Sequence, residues 1–181
     1  MSDLVLKAIS FAARAHRHQL RKDGMTPYIS HPMRVMFIAR DLFGVTDPKI
    51  LAAAVLHDTI EDTTIDYDDL KEQFGEEVAT WVAALTKDTR LPEDERERVY
   101  GEALISGGNP VIFCKLADMY DNLKDSSNLS PAAQHKTLAR VRYYLDQIKP
   151  GTRNDSETAC QIVEQALKDI HLGLVTDLAM V

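Results

Sequence analysis

Apolar residues recur every three to four positions in separate stretches of this chain, and that spacing constrains the fold more than any other feature. Leu4, Ala8, Phe11, Ala12 and Ala15 make one stripe. Val35, Ile38, Ala39 and Leu42 make a second, and Val78, Trp81, Val82 and Leu85 a third. Ala159, Ile162, Val163, Ala166, Leu167 and Ile170 repeat the pattern near the C-terminus. Side chains at i, i+3, i+4 and i+7 share one face of a helix, and that face has to be buried against a neighbour. No pair of alternating segments flanks a hairpin turn. Breaks fall between the stripes. Arg21 to Tyr28 reads as a loop by its Gly and Pro, and Pro32 suits a first helical position, which leaves His31 extended before it. Asp47-Pro48 opens another helix, and Gly75, Pro92, Gly107-Gly108, Pro110, Pro131 and Pro150-Gly151 punctuate the rest. The expectation is one all-α domain over residues 1–181, about eight to nine helices, with 151–181 as an appended C-terminal helix or part of the bundle.

The segment "LAAAVLHDTIEDT" (51–63) sets ionisable groups at the end of an apolar run. Buried charge costs several kcal/mol unless something compensates it. On one helix, His57 and Glu61 would lie four apart on the same face, as would Asp58 and Asp62. His31 follows the loop before a second apolar helix. Asp118 comes straight after the apolar run Val111 to Ala117, with Asn122 one turn further on. Two histidines and several carboxylates, each ending an apolar segment, suit a divalent cation such as Mn(II), Fe(II) or Zn(II). An isolated "HD" is more often a cap or a satisfied core residue. The acids of "TIEDTTIDYDDL" also read as a solvated helix end followed by an N-cap. The set taken together favours the metal.

Composition excludes several classes. With 21 Lys+Arg against 28 Asp+Glu, the net charge of −7 argues against a general nucleic-acid binder. No apolar run approaches the roughly 18 residues of a membrane span, and "MSDLVLKAISFAARAH" does not read as a secretory signal. Cys114 and Cys160, without a CxxC, fit a reduced cytoplasmic setting.

The segments "RKDGMTPYISHPMRV", "AAAVLHDTIEDT", "VAALTK" and "KLADMYDNLKD", in that order, resemble the HD superfamily of metal-dependent phosphohydrolases. They are most similar to RelA/SpoT-type alarmone hydrolase domains, the small stand-alone hydrolases above all. The resemblance implies an HD-domain helical bundle. It places His31, His57, Asp58 and Asp118 on metal ligands, usually for Mn(II), and Glu61 and Asp62 on the pair that serves the attacking water. It puts Arg21 and Lys22 on phosphate contacts and Asn122 near the sugar and base. Tyr144 matches either a substrate-side tyrosine or a helix-surface aromatic. Arg14, Arg17, Lys87, Arg90, Arg96 and Arg98 read individually as solvated charge. Asp121 stands where relatives commonly carry His or Tyr and is expected to bear on base preference. The implied function is hydrolysis of guanosine polyphosphate alarmones to GDP or GTP and pyrophosphate. Adenosine alarmones, NADPH, 5′-monophosphates and a non-catalytic nucleotide sensor remain alternatives. The expected partner is a small-molecule nucleotide, with no nucleic acid and no membrane.

Overall fold

A computed structural model describes residues 2–126 and 129–179, with side chains described outside 155 and 171–179. The described residues form ten α-helical segments: α1 (Asp3–Ala15), α2 (Ser30–Phe37), α3 (Pro48–Leu56), α4 (Thr59–Asp62), α5 (Tyr67–Phe74), α6 (Glu76–Leu85), α7 (Glu93–Ser106), α8 (Gly108–Asp125), α9 (Pro131–Ile148) and α10 (Asp155–Ala179). A π-helical turn (Ile38–Leu42) extends α2, and a 3₁₀ turn (Lys149–Gly151) follows α9. The fold is all-α. The only pairing outside helices among the described residues is an isolated bridge between Leu20 and Pro27.

Two buried helices organise the bundle. Every residue from Leu51 to Leu56 of α3 is buried, as is every residue from Val111 to Ala117 of α8. Burying each larger apolar side chain contributes about 1.5–3 kcal/mol, so these two helices anchor the core. Helices α2, α3, α6, α7, α9 and α10 all pack on α8, while α1 covers α3. The last helix is no loose appendage, since Ala159, Cys160, Val163, Ala166 and Leu167 are buried on α8 and α9. No helix among the described residues is long and apolar enough to cross a membrane.

Two local expectations need correction. His31 lies inside the first turn of α2 and is buried. Helical winding begins at Ile29 (φ −54°, ψ −21°), and His31 N–H already donates to Tyr28 O at 2.9 Å. The residue before a proline is only biased away from the helical region, and burial of the imidazole outweighs that bias. The segment carrying His57 to Asp62 is also not one helix. It breaks after Leu56, and Asp58 sits at φ −98°, ψ −1°, in the sparsely used bridge region. Thr59 Oγ1 donates to Leu56 O at 2.7 Å, satisfying a carbonyl at the break. This break separates α4 from α3 and accounts for one helix beyond the expected count.

Candidate active site

The C-terminal end of α3 and the second half of α8 meet the start of α2 beside a cleft of about 280 Å³. His31, His57, Asp58, Glu61, Asp62, Asp118, Asn122, Arg21, Lys22 and Tyr144 all line it. Each candidate drawn from the sequence therefore reaches one cavity.

At its floor, one donor atom each from His31, His57 and Asp118 lies within 4.8 Å of the others. His57 Nδ1 lies 2.9 Å from Ala54 O. A carbonyl only accepts, so Nδ1 carries a proton and Nε2 points at the cluster. Nε2 is 2.9 Å from Asp58 Oδ2 but outside hydrogen-bonding geometry, so this buried atom has no hydrogen-bond partner. His31 Nε2 stands 3.3 Å from Asp118 Oδ1 and 3.6 Å from Asp58 Oδ2. Two imidazole nitrogens and carboxylate oxygens facing one point, one nitrogen orphaned, fit a divalent cation.

The cluster's electrostatics follow from burial and mutual charge. Burial disfavours a charged His57, but Asp58 and Asp118 override it and raise its pKa to about 9. Burial would raise Asp58, but the adjacent His57 holds it at about 2. Burial likewise opposes charge on Asp118, while Lys115 and His31 hold its carboxyl well below the usual range. Lys115 Nζ is 2.9 Å from Asp118 Oδ2 and lies against the Tyr100 and Tyr144 rings, 5.5 and 4.7 Å from their centroids.

Glu61 and Asp62 line the wall above the cluster. Both pKa values are raised, first by burial of the carboxylates in the cleft and then, for Asp62, by Asp58. The Lys87 backbone N–H donates to Glu61 Oε2 at 2.9 Å. Tyr28 Oη donates to Asp58 Oδ2 at 2.6 Å and reaches Asp62 Oδ2 at 3.1 Å. The capping reading of the acidic stretch holds for other residues: Asp66 and Asp69 form a capping box that starts α5.

The outer residues are more engaged than the sequence suggests. Arg21 Nη2 pairs with Asp125 at 2.6 Å. Lys22 is exposed at the rim. Asn122 Nδ2 donates to Asp118 Oδ1 at 2.5 Å. Tyr144 is buried rather than a surface aromatic; its hydroxyl donates to Glu97 and accepts from Lys87 Nζ. Lys87 thus lines the cleft, whereas Arg90 pairs with Asp88 and Arg98 with Glu102 on the surface. Arg14 and Arg17 are exposed beside a separate hollow. Asp121 is absent from the cleft lining and faces His31 and Arg34 instead, so it is not placed to read a base. Sequence reasoning missed Tyr28, Tyr100, Lys115 and Arg140 as cleft residues. Lys115 precedes Asp118 by three positions, a spacing that could have revealed it.

A family model described as HD domain matches residues 8–104. The chain is 38% identical over 167 residues to a Homo sapiens protein named guanosine-3′,5′-bis(diphosphate) 3′-pyrophosphohydrolase, covering 92% of each. A Xenopus tropicalis protein of the same name is 40% identical over 129 residues, covering 71% of this chain and 72% of that protein. Among solved structures, one reported as a metazoan ortholog of SpoT that hydrolyzes ppGpp superposes with a TM-score of 0.78 at 29% identity. That match covers 91% of this chain and 96% of the other.

Proposed function

This chain belongs to the HD-domain family, and on that premise we propose that it removes the 3′-pyrophosphate of guanosine 3′,5′-polyphosphates. Water cleaves the 3′ P–O linkage, releasing pyrophosphate and leaving GDP from ppGpp or GTP from pppGpp. One observation carries the reading: a single cleft is lined by the His/Asp cluster, by Glu61 and Asp62, and by the cations Arg21, Lys22, Lys87, Lys115 and Arg140. Attack on a phosphoryl group needs an activated water and positive charge around the anionic group under attack, and these residues supply both requirements.

His31, His57, Asp58 and Asp118 would hold the ion, and the mixed imidazole–carboxylate donor set suits Mn(II). Such an ion supplies Lewis acidity and lowers the pKa of a coordinated water from about 15.7 toward 7. Glu61 and Asp62 then accept the proton of the attacking water, and their raised pKa values bring them closer to a working base. The Lys87 N–H fixes the aim of Glu61, and the Tyr28 hydroxyl, donating to Asp58, stands within reach of Asp62. Arg21 and Lys22 contact the phosphates, while Lys87, Lys115 and Arg140 offset the charge that builds on the pyrophosphoryl group as water adds to it and the ribose 3′-oxygen leaves, taking up a proton to become the 3′-hydroxyl. Asn122 and Tyr144 contact the nucleoside side of the substrate. The buried free thiols of Cys114 and Cys160 suit a reducing, cytoplasmic setting.

The test is product analysis of metal-stripped protein incubated with ppGpp, with and without Mn(II). Mn(II)-dependent GDP and pyrophosphate are the expected products. Turnover only of an adenosine alarmone or NADPH, run alongside, would keep the chemistry and replace the substrate. Inertness toward all three would leave a nucleotide-sensing domain. Glu61→Gln and Asp62→Asn should retain the metal and lose about 10²–10⁴ in kcat.

A further inference from the structure

Asp121 is a charged residue outside the cleft that is almost wholly enclosed, with 3% of its surface exposed. Its Oδ2 lies 2.6 Å from His31 Nδ1. Arg34 grips the same carboxylate with two arms, Nε to Oδ1 at 2.6 Å and Nη2 to Oδ2 at 2.9 Å. The opposite nitrogen of the imidazole, Nε2, faces Asp118 and Asp58 in the cluster. His31 is therefore held from behind by one carboxylate and presented forward to two others.

An imidazole that binds a cation through one nitrogen carries its proton on the other, and the partner of that second nitrogen decides which is which. Only an acceptor suits Nδ1–H. An ionised carboxylate also adds electron density to the ring and so strengthens Nε2 as a donor. The fork of Arg34 leaves Asp121 with little freedom to rotate, because planar two-point pairing fixes both oxygens. We infer that Asp121, clamped by Arg34, is a positioning residue that sets the tautomer and aim of His31 toward the metal. This rests on the reading of His31 as a ligand, and the experiment separates the two.

Mn²⁺ is titrated calorimetrically into metal-stripped wild type, His31→Ala, Asp121→Asn and Arg34→Met, with thermal melts of the metal-free proteins as a fold check. Asp121→Asn is expected to weaken Mn²⁺ about 10- to 100-fold while melting close to wild type. Arg34→Met should shift affinity the same way by less. Loss of tight binding in His31→Ala with unchanged affinity in Asp121→Asn overturns the role of Asp121 and keeps the ligand. Unchanged affinity in His31→Ala overturns both. Nitrogen NMR of the wild-type protein loaded with Zn²⁺ decides the matter without any variant: a His31 proton on Nδ1 supports the inference, and its absence there overturns it.

Discussion

The Tyr28 hydroxyl has one proton and two carboxylates within reach, Asp58 at 2.6 Å and Asp62 at 3.1 Å. It donates to one at a time, and the shorter contact favours Asp58. Removing it leaves both anions closer to each other's field, which already raises the pKa of Asp62. A hydrogen bond to a charged group contributes about 1.5–3 kcal/mol, so Tyr28→Phe should lower kcat about 10- to 100-fold. KM and the melting temperature should change little, because the ring keeps its packing against His16 and His31. Steady-state kinetics at saturating Mn(II) would check this, and an unchanged kcat would remove Tyr28 from the proton's path. Nothing in the sequence marks Tyr28 beyond its place in a loop three residues before His31. His57 and Asp58 were legible because polar groups at the end of a six-residue buried run demand a partner. The partners of Asp121 were not legible, since His31 lies 90 positions away in the chain.

Helix α8 starts immediately after α7, with only Gly107 between them, and Gly108 adopts φ +68° at the turn. A Cβ on Gly107 would stand 2.4 Å from Val111 Cγ2. Val111 is fully buried and stiff at χ1, so it has no room to yield. Gly107→Ala should cost about 1–3 kcal/mol, as overpacking does. A urea titration reads it, and a loss under a few tenths of a kcal/mol would mean the turn relaxes. At this scale the sequence spoke clearly about helices and poorly about their interruptions. The stripes of α1, α2, α6 and α10 follow from periodicity alone. The break between α3 and α4 does not, because every residue from Leu51 to Asp62 tolerates a helix and the deciding contacts are long-range. Glu61 is one such case, tied to the Lys87 N–H on the far side of α6.

The cluster joins α2, α3 and α8, so an ion bound there fastens three parts of the molecule that are distant in sequence. Removing it should lower the melting temperature, with a pH dependence set by His57. Without metal its folded-state pKa is raised to about 9 from an ordinary 6.5. The protonated imidazole then stabilises the metal-free fold fully below about 6.5, and that contribution fades as pH rises through 9. The ion competes with the same proton, so its hold strengthens over the same interval. The gain in melting temperature on adding Mn(II) should therefore grow from pH 6.5 to pH 9. A gain that is flat or falls with pH, in scanning calorimetry, would show that His57 stays neutral without the ion. A different consequence follows from the Arg21–Asp125 pair. If Arg21 contacts substrate phosphate as proposed, it starts from an existing ion pair, and binding there would be an exchange in which an incoming oxyanion displaces a resident one. The released Asp125 keeps a neighbour in Arg34, 3.6 Å away. A newcomer with a single negative charge gains little from the swap, whereas a doubly charged phosphate gains the difference. On that proposal the ion pair would act as a threshold that counts charge before any chemistry begins.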